Sequence, residues 1–288
     1  MVRALVVCLL CAPGVARAEQ RLAAHVIIVS EDGMRPDAVE GGHMPAHEAL
    51  LKKGAHSMVA KTIRHASTLP SHASMLSGVD DKKHGLTWNS WKPDRGFIHV
   101  PTIFNEAEQH GMKTAVFVGK RKLEHITPPG SVGKFDRPGY LCKRVVEEAS
   151  KYFVENRPDL MFVHFSDPDE YGHAQGWMSE PYDRGAADAD RCLGKLVAAI
   201  SEAGLANNTL IIVSADHGGH NHTHSGRLKE DRLIPWIAAG PGVRANFRIA
   251  GPVSTMDTAP TVLYALGLPI PSGVDGRALT EIFSNGPR

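Results

Sequence analysis

Cysteine is scarce in this chain. There are four in 288 residues, and two of them, Cys8 and Cys11, fall within the first twenty positions. Neither that pair nor Cys142 and Cys192 has the spacing of a cysteine zinc site, so a thiolate-built metal module is excluded. Net charge is nearly absent too: 32 Lys and Arg against 31 Asp and Glu leave +1. No global field therefore favours nucleic acid or an anionic membrane, and any anion must be attracted locally. Beyond the N-terminal segment no apolar run approaches the length of a membrane span. There are no internal repeats and no low-complexity linker, and the length allows one large domain or two small ones.

What is present begins with an export signal. Arg3 supplies a positive start, residues 5–12 form a short apolar run, and Ala16-Arg17-Ala18 fits the small-x-small cleavage rule. Residues 1–18 are therefore expected to be a signal peptide. Residues 19–288 are expected to be a single hydrolase domain, periplasmic or secreted. In an oxidising compartment Cys142 and Cys192 either form one disulfide or remain as buried thiols. Histidine is in surplus, with sixteen residues, several of them close to aspartates. Such clusters raise the expectation of a metal site.

Five short apolar runs, 25–30, 114–118, 160–165, 210–215 and 233–239, read as buried parallel strands. Helical stretches at 47–53, 102–109, 143–156 and 183–203 lie between them. The alternation predicts an α/β fold with a mostly parallel central sheet and helices on both faces. Residues 82–101 read as a long loop near the site. In such folds ligands collect at the carboxyl ends of the strands. Asp32 follows the first run, Asp167 and Asp169 follow the run ending at Phe165, and Asp216 and His217 follow the run ending at Ala215. Carboxylates gathered on one edge repel one another, and a bound cation relieves that repulsion.

Asp216-His217-Gly218 places a carboxylate and an imidazole at a strand end, and Asp169 and His173 form a second such pair. His220, His222 and His224 alternate just behind, and any one of them can complete a ligand set. Ser67-Thr68-Leu69-Pro70-Ser71-His72 precedes a short helix ending near Gly78. A hydroxyl there is either an N-cap or a nucleophile beside free backbone N–H groups that suit a phosphoryl oxygen.

The segments 26–37, 68–78, 84–89, 167–173 and 254–279 together resemble the alkaline phosphatase superfamily, most closely its nucleotide pyrophosphatase/phosphodiesterase branch. The resemblance implies an alkaline phosphatase-like sandwich and a phosphoric ester hydrolase that uses two divalent metal ions, zinc by the ligand types. It implies Thr68 as nucleophile and Asn89 as a contact to a phosphoryl oxygen. Asp32, Thr68, Asp216 and His217 would surround one ion, and Asp169, His173 and His224 the other. Lys120, just past a strand end, either adds positive charge near the substrate or is a solvated lysine. The expected substrate is a small-molecule phosphate ester, with nucleotides and lipid head groups as candidate classes. No nucleic-acid surface and no membrane span are expected. Monoesterase, sulfatase and non-catalytic metal-binding readings stand as alternatives. Against sulfatase, the segment lacks a Cys/Ser-x-Pro-x-Arg motif. Diester versus monoester preference stays open, as do the positions of Lys92, Arg95 and Arg121 around phosphorus. Trp88, Trp91 and Trp177 are either stacking platforms or packing residues.

Overall fold

A computed structural model describes residues 21–41, 43–224 and 228–284; the expected signal peptide, with Cys8 and Cys11, lies outside them. In chain order the elements are β1 (His25–Glu31), α1 (Pro36–Gly41), α2 (Pro45–Lys53), β2 (Ala55–Lys61), α3 (Thr68–Ser77), α4 (Asp81–His84), α5 (Ile103–Gln109), β3 (Thr114–Phe117) and β4 (Lys134–Asp136). There follow α6 (Cys142–Asn156), β5 (Leu160–Phe165), α7 (Asp167–Gln175), α8 (Glu180–Glu202), β6 (Thr209–Ser214), α9 (Lys229–Arg232), β7 (Leu233–Ala239), β8 (Phe247–Arg248) and α10 (Thr258–Leu266). The strands form one sheet in the order β4-β3-β5-β1-β6-β7-β2-β8.

Why the apolar runs become strands is visible in their burial. β5 and β6 are buried at every position, as is β1 from Val26 onward. Strands covered on both sides carry continuous rather than alternating apolar residues. β3, β5, β1 and β6 are parallel neighbours, and Ser30 pairs in register with both His164 and Ser214. Their carboxyl ends therefore come level, which places residues 32, 120, 166–169 and 216–217 on one edge of the sheet.

One strand departs from expectation. β7 covers the run 233–239 but is antiparallel to both β6 and β2. Full burial made it resemble a parallel strand, because burial on both faces erases alternation whatever the direction. The sheet remains mostly parallel. β2, β4 and β8 gave no sequence signal: β2 alternates buried and exposed residues only in part, and the other two are three and two residues long.

That helices cover both faces follows from two consecutive residues of β1. Ser30 Oγ meets His72 Nε2 of α3 at 2.8 Å, whereas Glu31 Oε2 meets His47 Nε2 of α2 at 2.8 Å. Successive side chains of a strand point to opposite faces, so α2 and α3 lie on opposite sides. On the α2 side α8 packs against α2, α6 and α7; on the α3 side lie α5 and α10. Cys142 of α6 and Cys192 of α8 form a disulfide, closing the alternative left open by the sequence in favour of the bond. Among the described residues no helix is long and apolar enough to cross a membrane.

His47 is a buried charged tie across this side of the sheet. Its Nδ1 donates to Asp190 Oδ1 of α8 at 2.8 Å while Nε2 donates to Glu31. Burial alone would lower its pKa, but Glu31 and Asp190 outweigh burial and push it up to about 10. A histidine raised in the folded state stabilises fully below its ordinary value of 6.5 and loses that contribution as pH climbs toward about 10. His47→Gln, which leaves two buried carboxylates without a cation, is expected to cost about 3–5 kcal/mol at pH 6 in urea unfolding. The gap to the unsubstituted protein should narrow steadily between pH 6.5 and 10. A gap independent of pH would show that His47 is not charged in the fold.

Candidate metal centre

Asp32 stands at the end of β1, where its N–H donates to Phe165 O and its carbonyl accepts from Asp169 N, each at 2.9 Å. These bonds tie the turn after β1 to the first turn of α7. Gly33 follows with φ +73, and a Cβ there would lie 2.9 Å from Asp169 Cα. Only glycine permits both the left-handed turn and the close approach. Its N–H donates to Asp216 Oδ1 at 3.1 Å. Three strand ends are thus stitched together, two by backbone bonds and the third through the Asp216 carboxylate.

α7 was not legible as a helix, because Asp-Pro-Asp-Glu-Tyr-Gly-His has no apolar period. As a helix it puts Asp169 and His173, four apart, on one face. His173 Nε2 lies 3.4 Å from Asp169 Oδ1. His224 Nε2 and His217 Nε2 each lie 3.9 Å from that same oxygen. Asp32 Oδ1 is 3.4 Å from His217 Nε2, and Asp216 Oδ2 is 3.2 Å from it. Two triads of potential metal ligands result: Asp169, His173 and His224, and beside it Asp32, Asp169 and His217. Asp169 belongs to both.

The three imidazoles are held in one tautomer. The Nδ1 of His217 meets Gly218 O at 2.8 Å, that of His224 meets Ala66 O at 2.7 Å, and that of His173 meets His222 O at 2.9 Å. A carbonyl only accepts, so each Nδ1 carries the proton and each Nε2 presents a lone pair to the cluster. The alternating histidines divide accordingly. His224 enters the cluster. His222 donates from Nδ1 to His173 O at 3.1 Å, and His220 is tied to Asp231 Oδ1 at 2.6 Å. His222 and His173 therefore clasp each other's backbone and fix the segment carrying His224 against α7.

Several atoms of this cluster are buried without any hydrogen-bond partner: Asp32 Oδ1, Thr68 Oγ1, Asp169 Oδ1, Asp216 Oδ2 and His217 Nε2. Buried polar atoms are nearly always paired, and these can all donate an electron pair to one kind of missing partner, a cation. The electrostatics agree. Burial first, and then the neighbouring Asp32, push Asp216 up to about 7. Burial lowers His217, and burial with the adjacent His217 brings His224 down to about 3, so both rings are neutral. The oxygen and nitrogen donors fit divalent metal ions.

Lys120 is neither solvated nor free to reach a substrate. Its ammonium is buried, 2.8 Å from Asp32 Oδ2 and also bonded to Asp169 Oδ2. It engages the outer oxygen of each carboxylate and leaves the Oδ1 atoms to the cluster, so its place is that of a bracket. His164, inside β5, donates from Nε2 to Asp32 Oδ2 at 2.9 Å. Burial raises Asp32, but Lys120 and the His164 bond outweigh it and hold Asp32 well below the usual carboxylate range. Asp167, by contrast, accepts from Cys142 N at 2.7 Å, at the start of α6, and stands outside the cluster.

Thr68 opens α3, preceded by Ser67 at the N-cap, and no side-chain cap bond forms. Thr68 Oγ1 itself has no hydrogen-bond partner, so its hydroxyl is not used as a cap. The segment is fixed on both sides: Ala66 O holds His224, and Thr68 O accepts from His72 Nδ1 at 2.7 Å, with Asp216 Oδ2 3.4 Å from the same nitrogen. Asn89 Oδ1 accepts from Leu69 N at 3.0 Å and from Lys122 Nζ at 3.1 Å. The Leu69 N–H, at the second position of the helix, is thus occupied by Asn89 rather than open to a phosphoryl oxygen. Lys92 and Arg95 are exposed on the outer loop, and Arg121 lies over the Trp91 ring. Trp177 is a packing residue: its Nε1 donates to Gly33 O at 2.9 Å, and Gly172 and Gly219 press against its ring.

The sequence gives His72 a place in the Thr68 motif but no role of its own, and it does not single out His164 or Lys122 as site residues. A histidine inside the apolar run Leu-Met-Phe-Val-His-Phe was the one available signal for His164.

The model of the type I phosphodiesterase / nucleotide pyrophosphatase family matches residues 26–248. The chain belongs to that family, within the alkaline phosphatase superfamily. It is 26% identical over 228 residues to human ectonucleotide pyrophosphatase/phosphodiesterase family member 5, covering 73% of this chain and 46% of the relative. It is 33% identical over 103 residues to arylsulfatase K of Danio rerio, covering 34% of this chain and 20% of that protein. The chain thus spans less than half the length of these curated relatives. Murine ectonucleotide pyrophosphatase/phosphodiesterase 5, solved in an inactive form in complex with AMP, superposes with a TM-score of 0.75 at 15% identity, covering 90% of this chain and 100% of that one. A 2-O glycosaminoglycan sulfatase superposes at 0.77 and 15% identity, covering 92% and 75%. These structural likenesses show the alkaline phosphatase-like fold.

Proposed function

We propose that this chain is a metal-dependent phosphoric ester hydrolase, with phosphodiester and pyrophosphate bonds as its first candidate substrates and Thr68 as its nucleophile. The observation that carries the reading is the set of buried, unpartnered atoms on Asp32, Thr68, Asp169, Asp216 and His217. Asp32, Thr68, Asp216 and His217 would hold one divalent ion, and Asp169, His173 and His224 the other. The imidazole share of the donors favours zinc. When bound, such ions supply Lewis-acid charge at the reacting phosphoryl group.

The chain's own residues do the rest. Thr68 Oγ1 attacks phosphorus and forms a phosphothreonine, which water then hydrolyses. Asn89, its oxygen saturated by Leu69 N and Lys122, turns its amide N–H groups toward a phosphoryl oxygen. Lys120 and His164 hold Asp32 ionised and in place. Nucleotides are one candidate class, since a family relative binds AMP; lipid head groups are another. Export is proposed alongside, and the Cys142–Cys192 disulfide supports an oxidising compartment.

Purified protein should hydrolyse a chromogenic phosphodiester and lose that activity to a chelator, with recovery on adding zinc or manganese. Turnover of a sulfate ester in preference to any phosphate ester would replace this reading with a sulfatase. No turnover by fully metallated protein would favour a non-catalytic metal-binding relative.

A further inference from the structure

Lys122 has no place in the reading so far beyond its contact to Asn89. It is half-buried, two residues beyond Lys120, and among the described residues its hydrogen-bond partner is the neutral Asn89 Oδ1 at 3.1 Å. Lys120 already satisfies the outer oxygens of Asp32 and Asp169. Burial, and after it the Lys120 ammonium, lower the Lys122 pKa by more than Asp32, Asp169 and Asp216 raise it. A half-buried ammonium that pairs directly with a neutral carbonyl oxygen and only at longer range with carboxylates already held by Lys120 costs free energy unless an anion completes it. With two divalent ions bound, the positive charge of the site would exceed that of its three carboxylates even without Lys122. A simple diester brings a single negative charge, so a further cation on the Asn89 side serves a phosphoryl group that brings more.

Resting on the hydrolase reading above, we propose that Lys122 gives this site a phosphomonoesterase activity beside its diesterase one, by pairing with the second ionised oxygen of a dianionic phosphoryl group. Its Nζ, 3.1 Å from Asn89 Oδ1, stands beside the residue proposed to contact a phosphoryl oxygen, and it keeps N–H groups to spare. The reaction balances without a further reactant. Thr68 Oγ1 bonds to phosphorus as the ester P–O bond breaks, and the electron pair leaves on the alkoxide, which takes up a proton equivalent to the one Thr68 gives up. Water then bonds to phosphorus as the P–Oγ1 bond breaks. One water proton restores the Thr68 hydroxyl, the other stays on the released hydrogen phosphate.

The test compares p-nitrophenyl phosphate with its methyl diester, which share a leaving group and differ by one charge, in the full chain loaded with metal. In Lys122→Met the ratio of monoester to diester kcat/KM should fall about 10–100-fold, the worth of one charge-assisted hydrogen bond. Lys122→Arg should recover most of the ratio. Lys122→Gln, a neutral side chain that can still donate to Asn89 Oδ1, should lower the ratio as Lys122→Met does, separating charge reading from misplacement of Asn89. A ratio unmoved by Lys122→Met overturns the proposal. Calorimetric titration with inorganic phosphate, at matched metal content, stands apart from turnover. If neither ester is cleaved yet Lys122→Met weakens phosphate binding about tenfold or more, the hydrolase reading fails and the charge-reading site survives. If metal-loaded protein binds no phosphate, or binds it equally after the substitution, Lys122 does not read the anion.

Discussion

Thr68→Ala is expected to lower turnover of every phosphate ester by at least about 10³-fold, because the proposed mechanism makes Thr68 Oγ1 the attacking atom. Metal content should stay close to that of the unsubstituted protein. Thr68 offers one neutral oxygen, whereas three carboxylates and three imidazoles with fixed Nδ1–H groups remain. Thr68→Ser, which restores a hydroxyl at the start of α3, should recover a measurable part of the rate. Trapping of a phosphorylated Thr68 at low pH, read by mass spectrometry, would give the covalent step its direct support. Full activity in Thr68→Ala would remove Thr68 as the nucleophile and leave the metal cluster standing.

Asp216→Asn separates the metal from the nucleophile. Asp216 Oδ1 is engaged by Gly33 N and His217 N, bonds an asparagine oxygen can keep, while Oδ2 is unpartnered. The substitution should weaken metal binding by more than about 100-fold, since loss of even an outer partner of a ligand costs about 10–100-fold. Activity should fall with it. A second readout has the opposite sign. Burial and the neighbouring Asp32 push Asp216 up to about 7. A carboxylate raised in the fold destabilises the metal-free protein most fully above that pH. In chelator at pH 8, Asp216→Asn should therefore melt higher than the unsubstituted protein, by about 2–4 °C for each kcal/mol of relieved repulsion. In the unsubstituted protein metal affinity should rise as pH climbs through about 7, because below it binding must displace the Asp216 proton. A metal-free melting point lowered by the substitution would mean that Asp216 is a structural hydrogen-bond acceptor.

The parts of this molecule legible from sequence are those in which chemistry and local pattern coincide. Val26-Ile27-Ile28-Val29 reads as a buried strand because nothing polar interrupts it, and Asp32 beyond it reads as a ligand because sheet edges collect them. Asp169 and His173 read as a pair by spacing alone, although the helix that makes that spacing useful was invisible without apolar periodicity. His220, His222 and His224 could not be told apart, because the choice is made by distant partners: Asp231 for the first, the backbone of His173 for the second, Ala66 O for the third. Lys120 was seen but its role was not, since a bracket between Asp32 and Asp169 depends on the pairing of β1 with β5 and of β5 with β3. The same pairing brings His164 under Asp32. β7 was found and misdirected, as strand direction leaves no trace in a run buried on both faces. Trp177 was open between stacking and packing, and Gly33 O with two glycines around its ring decides for packing.

Binding of metal ions by the unpartnered buried atoms is the point on which every proposed role depends. Anomalous X-ray scattering, recorded at the zinc edge from crystals of the full chain grown with zinc, tests it most directly. Two peaks are expected, one bounded by Asp32 Oδ1, Thr68 Oγ1, Asp216 Oδ2 and His217 Nε2, the other by Asp169, His173 Nε2 and His224 Nε2. Crystals that bind zinc elsewhere on the surface while this cluster shows no peak would contradict it.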